Sequence, residues 1–116
     1  MRTVHQSPHA LGTLAESGIA TLELTDAGRL NIIGSAAIAD LRAALQALAA
    51  EPTLRVLVLR GSGERAFIGG ADIAEMVTLN PATAEAFITR LAGLCDAVAQ
   101  MPVPGIARLS GWCLGG

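Results

Sequence analysis

Aromatic and charged residues are what this 116-residue sequence has least of: no tyrosine, one tryptophan, two phenylalanines, and 16% charged residues with a formal net charge of −2. Without basic clusters or aromatic platforms, nucleic acid is excluded as the partner. There are two cysteines, Cys95 and Cys113, at no metal-ligand spacing. Each sits within an apolar pattern and is expected to be a buried free thiol. No apolar segment reaches the ~18 residues of a membrane span, because Arg, Glu, Asp or Gln interrupts every one. Met1 to His9 carry Arg2 but no following apolar core, so they do not read as a secretory signal. A soluble, cytoplasmic chain is expected. His5 and His9 have no acidic residue between them, and no metal site is expected there. The P-loop pattern G-x-x-x-x-G-K-[ST] and the nucleophile elbow G-x-S-x-G are both absent, which removes nucleoside triphosphate and serine-nucleophile readings.

What is present is an excess of apolar residues, 52% of the chain, with a mean hydropathy of +0.51. About 25% charged residues is typical of soluble domains, and so much apolar surface is hard to hide in one small body. The expectation is that the chain either makes extensive subunit contacts or belongs to something larger. No shift in composition divides it into two domains.

Residues 1–13 show no periodicity and are expected to form a flexible lead, with the folded part spanning 14–116. The run Ile19 to Leu24 alternates in part between Gly18 and Asp26-Ala27-Gly28, as a strand ending in a turn does. Ile38, Leu41, Leu45 and Leu48 recur at helical spacing from Ser35 to Glu51, with Ser35 as candidate N-cap and Pro52 beyond the end. Val56-Leu57-Val58-Leu59 has the continuous apolar pattern of a strand buried in a parallel sheet. Strand, helix, strand makes a βαβ unit. Asn80-Pro81 predicts a second long helix, with Ala84, Phe87, Ile88, Leu91, Leu94, Cys95 and Val98 on its apolar face. Pro102-Val103-Pro104 stops it, and Gly105 to Leu109 should form a further strand leading into Ser110 to Gly116. A Gly-rich turn after a strand commonly leads into a helix in α/β repeats. The chain is therefore expected to be the N-terminal part of a longer protein.

The stretch Arg65 to Met76 carries most of the chemistry. Asp72 and Glu75 have capping-box spacing, so a helix should begin at about Ile73. Capping and dipole complementation are the expected work of these acids, ahead of general acid or base catalysis. Gly61-Ser62-Gly63-Glu64-Arg65-Ala66 matches G-x-G-x-x-A, but the dinucleotide fingerprint must open a helix, and here Phe67 to Gly70 intervenes, so a surface turn is expected. Two Gly-rich strand-to-helix junctions remain, Gly69-Gly70-Ala71 and Gly115-Gly116. If their strands share one parallel sheet, both lie at its carboxyl edge, where two backbone N–H groups can converge on one oxygen. Spacing alone leaves open the alternative that these glycines only permit tight helix–sheet packing.

Ala66-Phe67-Ile68-Gly69-Gly70-Ala71-Asp72-Ile73-Ala74-Glu75-Met76 resembles the A-F-x-A-G-A-D-[IL]-x-E-M signature of the enoyl-CoA hydratase/isomerase (crotonase) superfamily. Pro104 to Gly116 resembles its P-x-I-A-x-[VI]-[NS]-G-x-[AC]-x-G-G-G segment, and Asn31 falls where the family has its N-A-L motif. Gly69 stands where the family usually has Ala or another small residue, and Ile32-Ile33 replace the usual Ala-Leu after the asparagine. The resemblance implies an α/β fold, the N-terminal portion of a crotonase-like repeated ββα core with parallel strands and flanking helices. It implies acyl-CoA thioester substrates, no cofactor beyond the coenzyme A of the substrate, and trimers or dimers of trimers. By motif, Ala71 and Gly116 are the oxyanion-hole N–H donors, and Ala66, Asp72 and Ile73 are the candidate CoA contacts. The family's acid/base glutamates follow the third glycine, beyond Gly116, so residues 1–116 are expected to be inactive alone. Other activities of the superfamily (thioester hydrolase, decarboxylase, dehalogenase, ring-forming synthase) and a non-catalytic short paralogue that assembles with complete subunits stay open as alternatives.

Overall fold

The computed structural model describes all 116 residues. The elements are β1 (Arg2–Ser7), β2 (Ala10–Leu14), β3 (Ile19–Leu24), β4 (Ile32–Ile33), α1 (Ser35–Ala49), β5 (Val56–Gly61), β6 (Gly70–Ala71), α2 (Ile73–Met76), α3 (Pro81–Ala99) and β7 (Gly105–Ala107). A five-stranded sheet has the order β1-β2-β3-β5-β7, and β4 and β6 form a separate parallel pair. β1, β2 and β3 are antiparallel neighbours, whereas β3, β5 and β7 run parallel. The helices lie in the crossovers between the parallel strands, as such connections require. This is the expected mixed α/β architecture with parallel strands and flanking helices.

The core forms where α1 covers the sheet. Ala37, Ile38, Leu41, Ala44, Leu45 and Leu48 are its buried residues, and they meet inward residues of β2, β3 and β5 such as Leu14, Leu22, Leu24 and Leu57. Each large aliphatic side chain buried this way contributes about 1.5–3 kcal/mol. α1 is therefore the anchor of the fold. α3 packs along α1 but buries only Phe87 and Leu94. Its start follows the expectation, with Asn80 as N-cap and Pro81 in the first turn, and Thr83 completes a capping box with Asn80. No helix is long and apolar enough to cross a membrane.

Four expectations are corrected. Residues 1–13, read as a flexible lead, form β1 and nearly all of β2, a hairpin whose Ala10 and Leu14 enter the core. A contact between Arg2 and Glu51, with Nη1 to Oε1 at 3.1 Å, ties the hairpin to the residue pair following α1. Hydrogen bonding from Arg2 holds the Glu51 carboxyl below its ordinary range, and Glu51 in turn raises Arg2. Secondly, the N-cap of α1 is Gly34, and Ser35 is the first helical residue. Thirdly, Cys95 and Cys113 are exposed. The apolar stripe of α3 is wider than the surface covering it, which leaves Ile88 exposed as well, and Cys113 lies in an extended segment with no layer over it. Lastly, the final strand is shorter than expected, ending at Ala107.

Candidate functional site

The site grows from two extended segments running side by side past the ends of β5 and β7. Arg108 N–H donates to Leu59 O (2.8 Å), Trp112 N–H to Arg65 O (3.0 Å), Phe67 N–H to Trp112 O (2.8 Å) and Leu114 N–H to Ile68 O (3.1 Å). Ala66 and Trp112 form a parallel bridge. The approach is so close at its start that a Cβ on Gly111 would sit 1.9 Å from Arg65 O, at a φ of +67°. Only glycine fits there.

This ladder delivers Gly116 to Ala71. A Cβ on Gly116 would lie 3.6 Å from the Ala71 nitrogen and 3.4 Å from the Gly70 carbonyl carbon, and the Gly116 φ is +82°. The Gly116 N–H has no acceptor within the chain. Of the other residues the sequence singles out, Ala66 is buried, with its carbonyl turned to Asn31. Asp72 caps α2, its Oδ1 accepting from Glu75 N–H at 3.2 Å. Ile73 stands 73% exposed beside Ala71, an apolar platform rather than core. Ala71, Asp72 and Gly116 are thus brought together, with Ile73 on the outer side and Ala66 at the foot of the ladder.

Two supporting residues have roles that local sequence reasoning missed. Asn31 is buried and left-handed, with φ +53°. Its Nδ2 donates to Ser62 O (3.1 Å) and Ala66 O (2.9 Å), and its own carbonyl accepts from Gly69 N–H (3.2 Å). It pins the loop between β5 and β6 at three points. The available signal was an asparagine preceding a β-branched pair, since Asn tolerates the left-handed region better than most residues. Glu75 reaches out of α2 to Ser35 at the start of α1, accepting from its backbone N–H at 2.9 Å and from its hydroxyl. No signal marks this contact, which spans 40 residues of sequence.

Beside Gly116 an apolar cavity of about 300 Å³ runs between the sheet and the two long helices, touched by Leu24, Leu41, Leu59, Ile68 and Leu91. The backbone of Gly116 lying close to the Ala71 nitrogen, with Gly116 itself on the wall of an apolar cavity, suits a ligand with one polar oxygen and an apolar tail. No group of three or more His, Cys, Asp or Glu side chains has metal-site geometry.

A family model for enoyl-CoA hydratase/isomerase matches residues 14–116. The chain belongs to this family. Among its relatives is the bovine mitochondrial enoyl-CoA hydratase domain-containing protein 2, 33% identical over 99 residues, which are 85% of this chain and 33% of the relative. The crotonyl-CoA hydratase of Syntrophomonas wolfei is 29% identical over 101 residues, 87% of this chain and 39% of that protein. In three dimensions, an enoyl-CoA hydratase/carnithine racemase from Magnetospirillum magneticum superposes with a TM-score of 0.88 at 32% identity, covering 97% of this chain and 42% of that one. This hydratase/isomerase-family chain therefore spans from 33% to 42% of the length of these proteins.

Proposed function

We propose that the chain binds the thioester of an acyl-CoA and stabilises the enolate that forms from it, in an enoyl-CoA hydratase or isomerase reaction. The carbonyl oxygen is received by the N–H groups of Ala71 and Gly116. The observation that carries this reading is the meeting of Gly116 with the Ala71 nitrogen at one end of an apolar cavity. Backbone donors fixed before charge develops are each worth about 2.7–4 kcal/mol in acyl chemistry, since they need no reorganisation as the oxyanion forms. The cavity takes the acyl chain, and Asp72 and Ile73 contact the coenzyme A portion, while Ala66, buried with its carbonyl bonded to Asn31, supports the loop beneath them instead of meeting coenzyme A itself. No cofactor beyond that coenzyme A is required. Trimers or dimers of trimers remain part of the proposal, supported by the exposed Met76, Val77, Ile106, Leu109 and Trp112, an apolar surface suited to subunit contacts.

Residues 1–116 supply the polarising part of this chemistry and not the proton transfers. Asp72 and Glu75, the acids nearest Ala71 in sequence, are both engaged in capping helices. Hydration of a 2-enoyl thioester needs carboxylates that activate water and protonate the α-carbon. Two titrations test the proposal. Calorimetry with butyryl-CoA and with free CoA should show tighter binding of the thioester, and Ala71→Pro, which deletes the N–H, should erase the difference. Crotonyl-CoA hydration by residues 1–116 should stay at the buffer rate. Equal affinity for thioester and free CoA in the unaltered chain would overturn the binding proposal, and hydration above the Ala71→Pro control would overturn the division of labour.

A further inference from the structure

Glu75 holds no ligand in the scheme above, yet the way α2 is supported gives it a task. α2 has four residues and buries none of them. A helix this short has no stability of its own, and Ile73 and Val77 are 73% and 78% exposed. Apolar packing therefore does not fix its place. Polar contacts do. Asp72 N–H donates to Ile33 O at 2.8 Å, and the Glu75 carboxylate takes both the N–H and the hydroxyl of Ser35. Ser35 opens α1, the best-buried helix of the fold, whose N-cap Gly34 offers no side chain. The positive end of the α1 dipole favours a carboxylate at that point. Gly34 also makes room for it, since a Cβ there would stand 2.9 Å from Glu75 Oε1.

We propose that Glu75 is a positioning residue for the Ala71 donor: by capping α1 from α2, it locks the segment that follows Ala71 onto the best-buried helix of the chain. Ala71 is paired with Ile33 through β4 and β6 on one side and followed by this clamp on the other. Without the clamp, the turn after Ala71 is held by the Asp72 contact alone, and the direction of the Ala71 N–H is no longer fixed. This inference rests on the thioester reading of the site.

The test uses 4-(dimethylamino)cinnamoyl-CoA, a push–pull chromophore whose absorbance moves to the red when its thioester carbonyl is polarised. Spectra are taken at saturation, so that changes in affinity do not enter. The unaltered protein should give a red shift. Glu75→Gln keeps an acceptor for the Ser35 N–H and a donor for its hydroxyl, and should keep that shift. Glu75→Ala should lose most of it and bind the probe about tenfold more weakly, the worth of one charge-assisted hydrogen bond. A purely structural role would lower thermal stability and leave the bound spectrum unchanged, so a full red shift in Glu75→Ala overturns the inference while leaving the oxyanion reading intact. Absence of any shift in the unaltered protein overturns both. Should Glu75→Ala fail to fold, Ser35→Ala, which removes only the hydroxyl half of the clamp, must weaken the shift, and an undiminished shift there overturns the inference equally.

Discussion

Replacing Asn31 by alanine is expected to destabilise the chain by about 2–5 kcal/mol, and the sum follows from the structure. The Ala66 carbonyl loses a buried donor held at 2.9 Å, which costs about 1–3 kcal/mol when nothing replaces it. The Ser62 carbonyl is only part-buried and recovers its bond from water, adding little. Holding alanine at the φ of +53° observed for Asn31 adds roughly 1–2 kcal/mol, because its Cβ crowds the following carbonyl. Water entering the vacated amide space sets the lower end of the range. Two further variants separate the contributions. Asn31→Gly removes the backbone part and should be less damaging than alanine. Asn31→Asp turns a carboxylate toward two carbonyl oxygens and should be at least as damaging. Urea unfolding followed by far-UV circular dichroism, with an unchanged slope m, gives the free energies. An Asn31→Ala midpoint equivalent to less than about 0.5 kcal/mol, the range of ordinary surface changes, would refute the clamp. A glycine variant as unstable as the alanine one would refute the backbone contribution.

Three other outcomes are expected. Leu48→Ala, at a fully buried position under Gly12 of β2, should cost about 2–5 kcal/mol in the same assay, and a loss below 1 kcal/mol would show that the hairpin does not close the core. Gly111→Ala should cost more than about 1 kcal/mol, since its methyl would strike Arg65 O at 1.9 Å and overpacking is paid in backbone shifts; it should also remove the preference for thioester over free CoA. The Arg2–Glu51 contact should act on stability through pH. Because Arg2 lowers the Glu51 pKa in the folded state, its contribution is present above the unfolded value of about 4.3 and fades as pH falls through the lower folded value. The Tm difference between the unaltered chain and Arg2→Ala should thus be small, shrink with salt, and close below that pH; a gap that widens in acid would contradict the assignment.

What could be read from the sequence divides along physical lines. α1 was legible because its buried residues repeat at helical spacing, and β5 because Val56 to Leu59 form a continuous apolar run, although the expected burial on both faces is not met: only Leu57 and Gly61 of this strand are buried and the rest are half-buried. The β1–β2 hairpin escaped notice for the opposite reason. β1 is an edge strand with no fully buried residue, and the inward face of β2 consists of Ala10, Gly12 and Leu14, two of them too small to register as an apolar alternation. At α2 the local pattern was half right. Asp72 caps as its position predicts, but Glu75 leaves the box and caps another helix, a choice decided by tertiary proximity to Ser35. Both glycine-rich junctions stood out in the chain, while their meeting depends on the ladder between residues 65–68 and 112–114, which only the folded topology creates.

The central claim, that Ala71 and Gly116 together polarise a thioester carbonyl, is tested most directly by the ¹³C resonance of butyryl-CoA labelled at its carbonyl carbon. On binding, the resonance should move downfield, and Ala71→Pro should bring the bound signal back toward its position in free butyryl-CoA. A bound resonance that coincides with the free one in the unaltered chain would contradict the account.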